Sequence, residues 1–277
     1  MPVNPSAIGK KLDAVTHEYD ERDVMLYALG VGCGTDELQF TYERDLKVLP
    51  TFAVIPSFPA MMALGGVMDV NPALVLHGEQ RIELHGTIPT SGKLTTTPTV
   101  KAIYDKGKAA LVIVETDTVD SKGRLLFRNT MGIFARGEGG FGGDRGPSGP
   151  RNVPPDRKAD KSIAYKTLPQ QALIYRLSGD MNPLHADPDF AKLGGYDRPI
   201  LHGLCTFGFA GRALLAAWCD NDPARLKSFE VRFSGVVYPG ETITTDMWQV
   251  APGKIVLTAK TERGEAVLSG AAAEVAS

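Results

Sequence analysis

Cysteine is scarce. The three present, Cys33, Cys205 and Cys219, are odd in number and have no ligand-like spacing, so neither a disulfide framework nor a zinc site is expected and buried thiols in a reducing compartment are the default. Long apolar runs are lacking too: none approaches the ~20 residues that span a bilayer, and Met1 to Lys11 holds no apolar core of a secretion signal. Charge of one sign is not in excess, with 30 Lys+Arg against 32 Asp+Glu, which argues against a surface built for polyanions. The last residues, Val275-Ala276-Ser277, do not match the Ser-Lys-Leu peroxisomal address. A cytoplasmic protein that binds neither nucleic acid nor membrane is the expectation.

At 277 residues the chain exceeds the ~100 to 200 residues of one ordinary domain. Residues 136–157 are so dense in Gly and Pro that neither helix nor sheet is expected there, and they read as a linker between halves 1–135 and 158–277. Within the linker, Gly137-Glu138-Gly139-Gly140-Phe141-Gly142 fits a dinucleotide-binding glycine pattern. Those glycines run into Pro147, Pro150, Pro154 and Pro155 rather than into a helix, so no nicotinamide cofactor follows.

The two halves tell a similar story. Tyr27-Ala28-Leu29-Gly30-Val31-Gly32 echoes Tyr175-Arg176-Leu177-Ser178-Gly179-Asp180, which points to an internal duplication. Strand-like segments follow each: Leu74 to Ile88, Leu94 to Asp105, Ala109 to Val119 and Leu125 to Ala135 in the first half, and Phe229 to Tyr238, Thr242 to Val250, Lys254 to Lys260 and Ala266 to Val275 in the second. Turn-forming breaks such as Asp105-Lys106-Gly107-Lys108 and Pro252-Gly253 separate them, so an antiparallel sheet is expected. Leu204 to Cys219 is apolar nearly all round and long enough for a buried helix. The matching place in the first half, Pro56 to Gly66, carries two prolines and two glycines, which make a long helix there improbable and leave a groove instead.

Chemistry concentrates in Ser178-Gly179-Asp180-Met181-Asn182-Pro183-Leu184-His185 and in Arg198-Pro199-Ile200-Leu201-His202-Gly203. A carboxylate and an imidazole five residues apart, followed by a glycine at the mouth of an apolar helix, are equipment for proton transfer beside a polarised carbonyl. Each residue also has a plainer use. Asp180 suits an Asx-turn or a cap, His185 a hydrogen-bonded core position, His202 packing or loop orientation, and Gly203 a close approach of backbones. Asp187-Pro188 is expected to cap a short helix toward Leu193. A metal site from Asp180, His185 and His202 is not expected, since no Cys or further His joins them. The first-half positions echoing Asp180 and His185 are Gly32 and Glu37, so only one active centre per chain is expected.

The two motifs, in this order, resemble the signature of the MaoC-like or 2-enoyl-CoA hydratase 2 family. That resemblance implies an α+β double hot-dog fold: antiparallel sheets around a central helix, reduced in the N-terminal half. It further implies (R)-specific hydration of a trans-2-enoyl-CoA without cofactor, with Asp180, His185, Asn182 and Gly203 catalytic. His77-Gly78-Glu79 recurs in the family's first half, so His77, Gly78, Glu79 and His202 are candidates for substrate binding, a structural carboxylate being the other reading of Glu79. An acyl-CoA substrate and a homodimer are the expected partners. A hot-dog thioesterase and a non-catalytic acyl-CoA-binding protein remain the alternatives, because fold alone does not decide function.

Overall fold

The computed structural model describes residues 3–62, 67–68, 70 and 74–276. Its strands are β1 (Val15–Tyr19), β2 (Val75–Leu84), β3 (Gly92–Asp105), β4 (Ala109–Val119), β5 (Leu125–Arg136), β6 (Lys161–Lys166), β7 (Leu226–Phe233), β8 (Thr242–Ala251), β9 (Lys254–Thr261) and β10 (Ala266–Val275). The helices are α1 (Glu21–Gly30), α2 (Leu38–Thr41), α3 (Val54–Met62), α4 (Gln171–Tyr175), α5 (Pro188–Leu193) and α6 (Gly203–Trp218).

All strands join one antiparallel sheet of order β1-β3-β4-β5-β2-β7-β10-β9-β8-β6. Read from either edge inward, the order is the same in both halves: first, third, fourth, fifth, second. The duplication suspected from the tyrosine segments is therefore a duplication of topology, joined where β2 pairs with β7 in register Glu79 to Arg232 through Glu83 to Ser228. The short strands β1 and β6 escape the sequence pattern because each is brief and half-exposed, leaving no long alternation to read.

Thirteen of the sixteen residues of α6 are buried, so this helix must be covered on every side. The sheet curls over it, with Phe207 stacked on Phe229 of β7 at 4.4 Å. The first half closes the remaining side. A Cβ on Gly208 would stand 2.3 Å from Val31 Cγ1, and one on Gly211 2.5 Å from Thr51 Cγ2. These two glycines let the halves touch backbone to side chain.

A helix does stand where the first half made a long one improbable: α3, described over nine residues against sixteen in α6, runs to the edge of the described residues. Pro56 falls in its first turn, where backbone N–H groups lack intrahelical acceptors anyway, whereas Pro59 forfeits an interior bond. Polar contacts pin it instead. Asn129 Nδ2 donates to the Ala53 carbonyl (3.1 Å) and Ser57 Oγ (2.8 Å), while Gln80 Nε2 donates to Asn129 Oδ1 (2.8 Å). Gly65 and Gly66 lie outside the described residues. Beyond α3, the first-half sheet has its own smaller core, in which Val100, Val112, Met131 and Ile133 pack with Val3, Ala7, Val67 and Met68.

The echoing segments pack against each other. Tyr27 and Tyr175 lie 6.0 Å apart, and Gln171 Nε2 donates to the Gly30 carbonyl at 2.7 Å. Glu37, which stands where the second half has His185, accepts a hydrogen bond from Arg212 Nε of α6 at 2.9 Å, and the Arg212 Nη2 lies 2.7 Å from its other carboxylate oxygen. The Arg212 guanidinium also donates to the Val31 carbonyl and lies 3.8 Å from the Tyr165 ring centroid. Removing one partner of such a buried pair strands the other charge. Arg212→Met is expected to lower the unfolding free energy by ~3–5 kcal/mol in urea titrations; a loss under ~1 kcal/mol would show that Glu37 finds water in the folded chain.

Candidate active site

A cleft of about 510 Å³ runs between the two halves. Phe58, Met68, Val75, His77 and Ile133 line it from the first half, and Asp180, Asn182, His185, Gly203, Phe233 and Val237 from the second. Its walls are mainly apolar. Among its lining residues are Asp180, Asn182, His185 and Gly203 of the paired motifs.

Local chemistry explains how they meet. Helix α4 ends in a turn, Arg176–Ser178, closed by Gly179 at φ 132°, a conformation that L side chains rarely adopt. Asp180 Oδ1 then accepts the Asn182 N–H at 3.2 Å, and Asn182 Oδ1 caps the turn Pro183–His185 by accepting the Leu184 N–H at 3.0 Å. The Asx-turn reading of Asp180 is thus true, and it leaves Oδ2 for other work. Asp187 caps α5 through the N–H groups of Asp189 and Phe190, as its sequence implied.

His185 is 8% exposed and its Nδ1 lies 2.8 Å from the Ile200 carbonyl. A carbonyl only accepts, so Nδ1 carries the hydrogen and Nε2 keeps its lone pair. His202 Nε2 donates to the Asp180 carbonyl at 3.1 Å, and its ring stacks on His185 with centroids 3.7 Å apart. Its buried Nδ1 has no partner among the described residues. Asp180, His185 and His202 each offer a ligand atom, all within 4.8 Å of one another; one nitrogen of each imidazole is already committed to a carbonyl. Burial lowers the pKa of His185, opposed by the Ile200 carbonyl and then by the Asp180 carboxylate. Burial and then the stacked His185 push His202 well below the ordinary imidazole value.

Gly203 is the first residue of α6 and lines the cleft. The leading N–H groups of a helix have no intrahelical acceptors and carry the positive end of its dipole. An anion or polarised carbonyl at this end of the cleft would find both.

The chain matches the family model of the MFE-2 hydratase 2 N-terminal domain over residues 17–137 and that of the MaoC like domain over residues 151–270. A probable enoyl-CoA hydratase 2 of Dictyostelium discoideum is 45% identical, covering 96% of this chain and 94% of its own. The chain belongs to the MaoC-like hydratase 2 family. A peroxisomal enoyl-CoA hydratase 2 of Arabidopsis thaliana is 40% identical across 95% of this chain and 92% of its own. Among solved structures, a MaoC-like dehydratase from Phytophthora capsici superposes with TM-score 0.91 at 38% identity, covering 99% of this chain and 98% of that one. A Mycobacterium tuberculosis protein described as a double hotdog fold superposes at TM-score 0.63 with 13% identity over 97% and 96%, a likeness of fold alone.

For this MaoC-like chain the first-half candidates separate. His77 lines the cleft, with its ring 5.1 Å from Phe233 and Nε2 donating to the Glu79 carbonyl at 3.0 Å. Gly78 sits at a bulge between β2 and β5, where a Cβ would run into the Phe134 ring at 2.5 Å. Glu79 is not among the cleft-lining residues; it accepts from Arg232 Nε at 2.8 Å and pairs with Arg151 Nη2 at 3.1 Å, which ties the linker to the β2–β7 joint. Sequence reasoning missed Phe233, Val236 and Val237 as cleft residues because they fell inside an expected strand through Tyr238. The strand ends at Phe233, and the Val237 carbonyl accepts the Leu201 N–H at 2.7 Å, folding that segment over the site.

Burial also lowers His17 and brings His77 down to about 4. With His185 and His202 lowered as well, the unfolded chain binds more protons than the folded one once the pH falls below the free imidazole value of ~6.5. Unfolding free energy is therefore expected to be flat from pH 8 to 7 and to fall between about pH 6.5 and 5, where carboxylates are still ionised. Urea midpoints across that range check it; a flat profile would mean that these imidazoles keep their protons on folding.

Proposed function

We propose that the chain adds water across trans-2-enoyl-CoA to give (3R)-3-hydroxyacyl-CoA, as a cofactor-independent hydro-lyase of fatty-acid or related acyl metabolism. One observation carries this reading: the Asp180 carboxylate and the His185 imidazole, fixed as the Nδ1–H tautomer, converge beside the start of α6 in an apolar-walled cleft. Both offer acceptors. A water donating one hydrogen to Asp180 and the other to His185 Nε2 keeps a lone pair for the β-carbon. A new C–O bond forms there, one water O–H breaks, and the Asp180–His185 pair returns a proton to the α-carbon. Between these events negative charge gathers on the thioester oxygen, where the Gly203 N–H is the proposed donor. Asn182, through its cap, sets the turn that carries both acid–base groups.

In this reading residues 158–277 form the catalytic half, 1–135 supply the acyl-binding wall together with His77, and 136–157 connect them. Glu37, locked to Arg212, and Gly32 have no part in the chemistry. Three free buried cysteines suit a reducing compartment such as the cytoplasm, and among the described residues no helix is long and apolar enough to cross a membrane. Exposed Leu173, Leu177 and Leu193 near the motif suit a homodimer.

Two experiments test the reading. Incubation with crotonyl-CoA should bleach the conjugated thioester without releasing free thiol, and the product should be refused by an (S)-specific hydroxyacyl-CoA dehydrogenase. Thiol release would instead favour a thioesterase, and efficient (S)-coupling would sink the stereochemical assignment. Asp180→Asn and His185→Gln should each keep the fold and lose on the order of 10²- to 10⁴-fold in kcat. Since one water bridges both groups, the double variant should be little worse than the weaker single one; multiplicative losses would separate their roles.

A further inference from the structure

Arg198 belongs to the second motif, yet no step of the proposed reaction uses it. Two residues before it Tyr196 lines the cleft, two residues after it Ile200 does so, and across the rim Val237 precedes Tyr238. The Arg198 guanidinium lies over the Tyr238 ring, Cζ to centroid 4.7 Å, and Arg263 lies 5.1 Å from the same centroid. The two cations differ in their commitments. Arg263 is held by Glu241 at 3.0 Å and donates to the Val236 carbonyl at 2.6 Å. Arg198 is exposed and, among the described residues, has neither a carboxylate nor a carbonyl partner.

We infer that Arg198 is the anion anchor at the cleft rim, held flat by Tyr238 and binding a phosphate of the thioester's carrier arm. The inference takes the substrate class from the proposed hydration and adds which end of the substrate is gripped, and where. A guanidinium stacked on an aromatic ring keeps its in-plane N–H fork open, and that fork matches phosphate geometry. Such a contact lies outside the apolar cleft, of whose lining Arg198 is not part. It would select substrates by their handle, while the cleft selects them by their chain. Phosphate is common to two handles, the 4′-phosphopantetheine arm of carrier proteins and the nucleotide end of CoA.

The test is a ladder of crotonyl thioesters carrying pantetheine, 4′-phosphopantetheine or CoA, assayed with wild type, Arg198→Ala and Arg198→Lys of matched melting temperature. The ratio of kcat/KM for CoA over pantetheine is expected to fall about tenfold in Arg198→Ala, through KM, the loss of one charge-assisted contact, with Arg198→Lys between. If phosphopantetheine loses as much as CoA, the contact is to the arm's own phosphate; if only CoA loses, it is to the nucleotide end. An unchanged CoA-to-pantetheine ratio overturns the anchor, whether both substrates suffer or neither does. Equal damage would mean that the change reaches His185 through the neighbouring Ile200 carbonyl. Should wild type hydrate none of the ladder, the hydration reading fails separately. Calorimetric titration of CoA into the same proteins then decides the anchor: about tenfold weaker binding in Arg198→Ala supports it, and equal affinity ends it.

Discussion

A sixteen-residue helix with thirteen buried residues cannot be left at a surface, and most of this architecture follows from covering α6. A sheet covers one side of a helix well only if it is wide and curled. Two five-stranded units joined at β2–β7 provide that width. The side left over is closed by the first half, through Val31 and Thr51 against Gly208 and Gly211. The start of the same helix cannot be covered if its N–H groups are to reach a ligand, so the cleft opens there. Burial of the helix and exposure of its N-terminus are one constraint seen from two ends.

Duplication then explains the asymmetry. Both halves kept the strand order and the tyrosine segment, but they parted at the position after the echo. In the second half that position leads to Asp180 and His185; in the first, the space is filled by Arg212 reaching in from α6 to Glu37. There the first half gains an attachment: an ion pair from Glu37 to Arg212 of the second half stands where the other copy has His185. Polar attachment also holds α3: a network of Gln80, Asn129 and Ser57 pins it, and Phe58 of the same helix lines the cleft.

Much of this was legible in the residues, for identifiable reasons. The strand β4 matches its sequence range because turn residues bracket both ends, β10 matches because Arg263-Gly264 precedes it, and α6 stands within a residue of its expected span because apolar residues dominate it despite Thr206 and Arg212. The short edge strands β1 and β6 were not legible, having too little alternation to register. The end of β7 was misread, since Val236 and Val237 are apolar for the sake of the cleft rather than of the sheet. Among the site residues, the motif brought Asp180, Asn182, His185 and Gly203 to one place. Neither the stacking of His202 on His185 nor the pairing of Glu79 with Arg232 and Arg151 has a local signature; both depend on contacts between segments far apart in the chain.

The stacked imidazoles also restrict the charge the site can carry. Rings 3.7 Å apart repel if both are protonated, and burial disfavours the first proton on either. His202 spends its hydrogen on the Asp180 carbonyl, which fixes the backbone that carries the carboxylate, and His185 spends its own on Ile200. What these two groups still offer is a carboxylate oxygen and an imidazole lone pair, both acceptors. A neutral molecule with two hydrogens to give satisfies that arrangement, and water is the smallest one. In the proposed hydration the positive end of α6 then balances the second negative charge, the one that develops on the thioester oxygen. In that proposal the polarity of α6 and the lowered basicity of His185 and His202 are complementary requirements of one reaction.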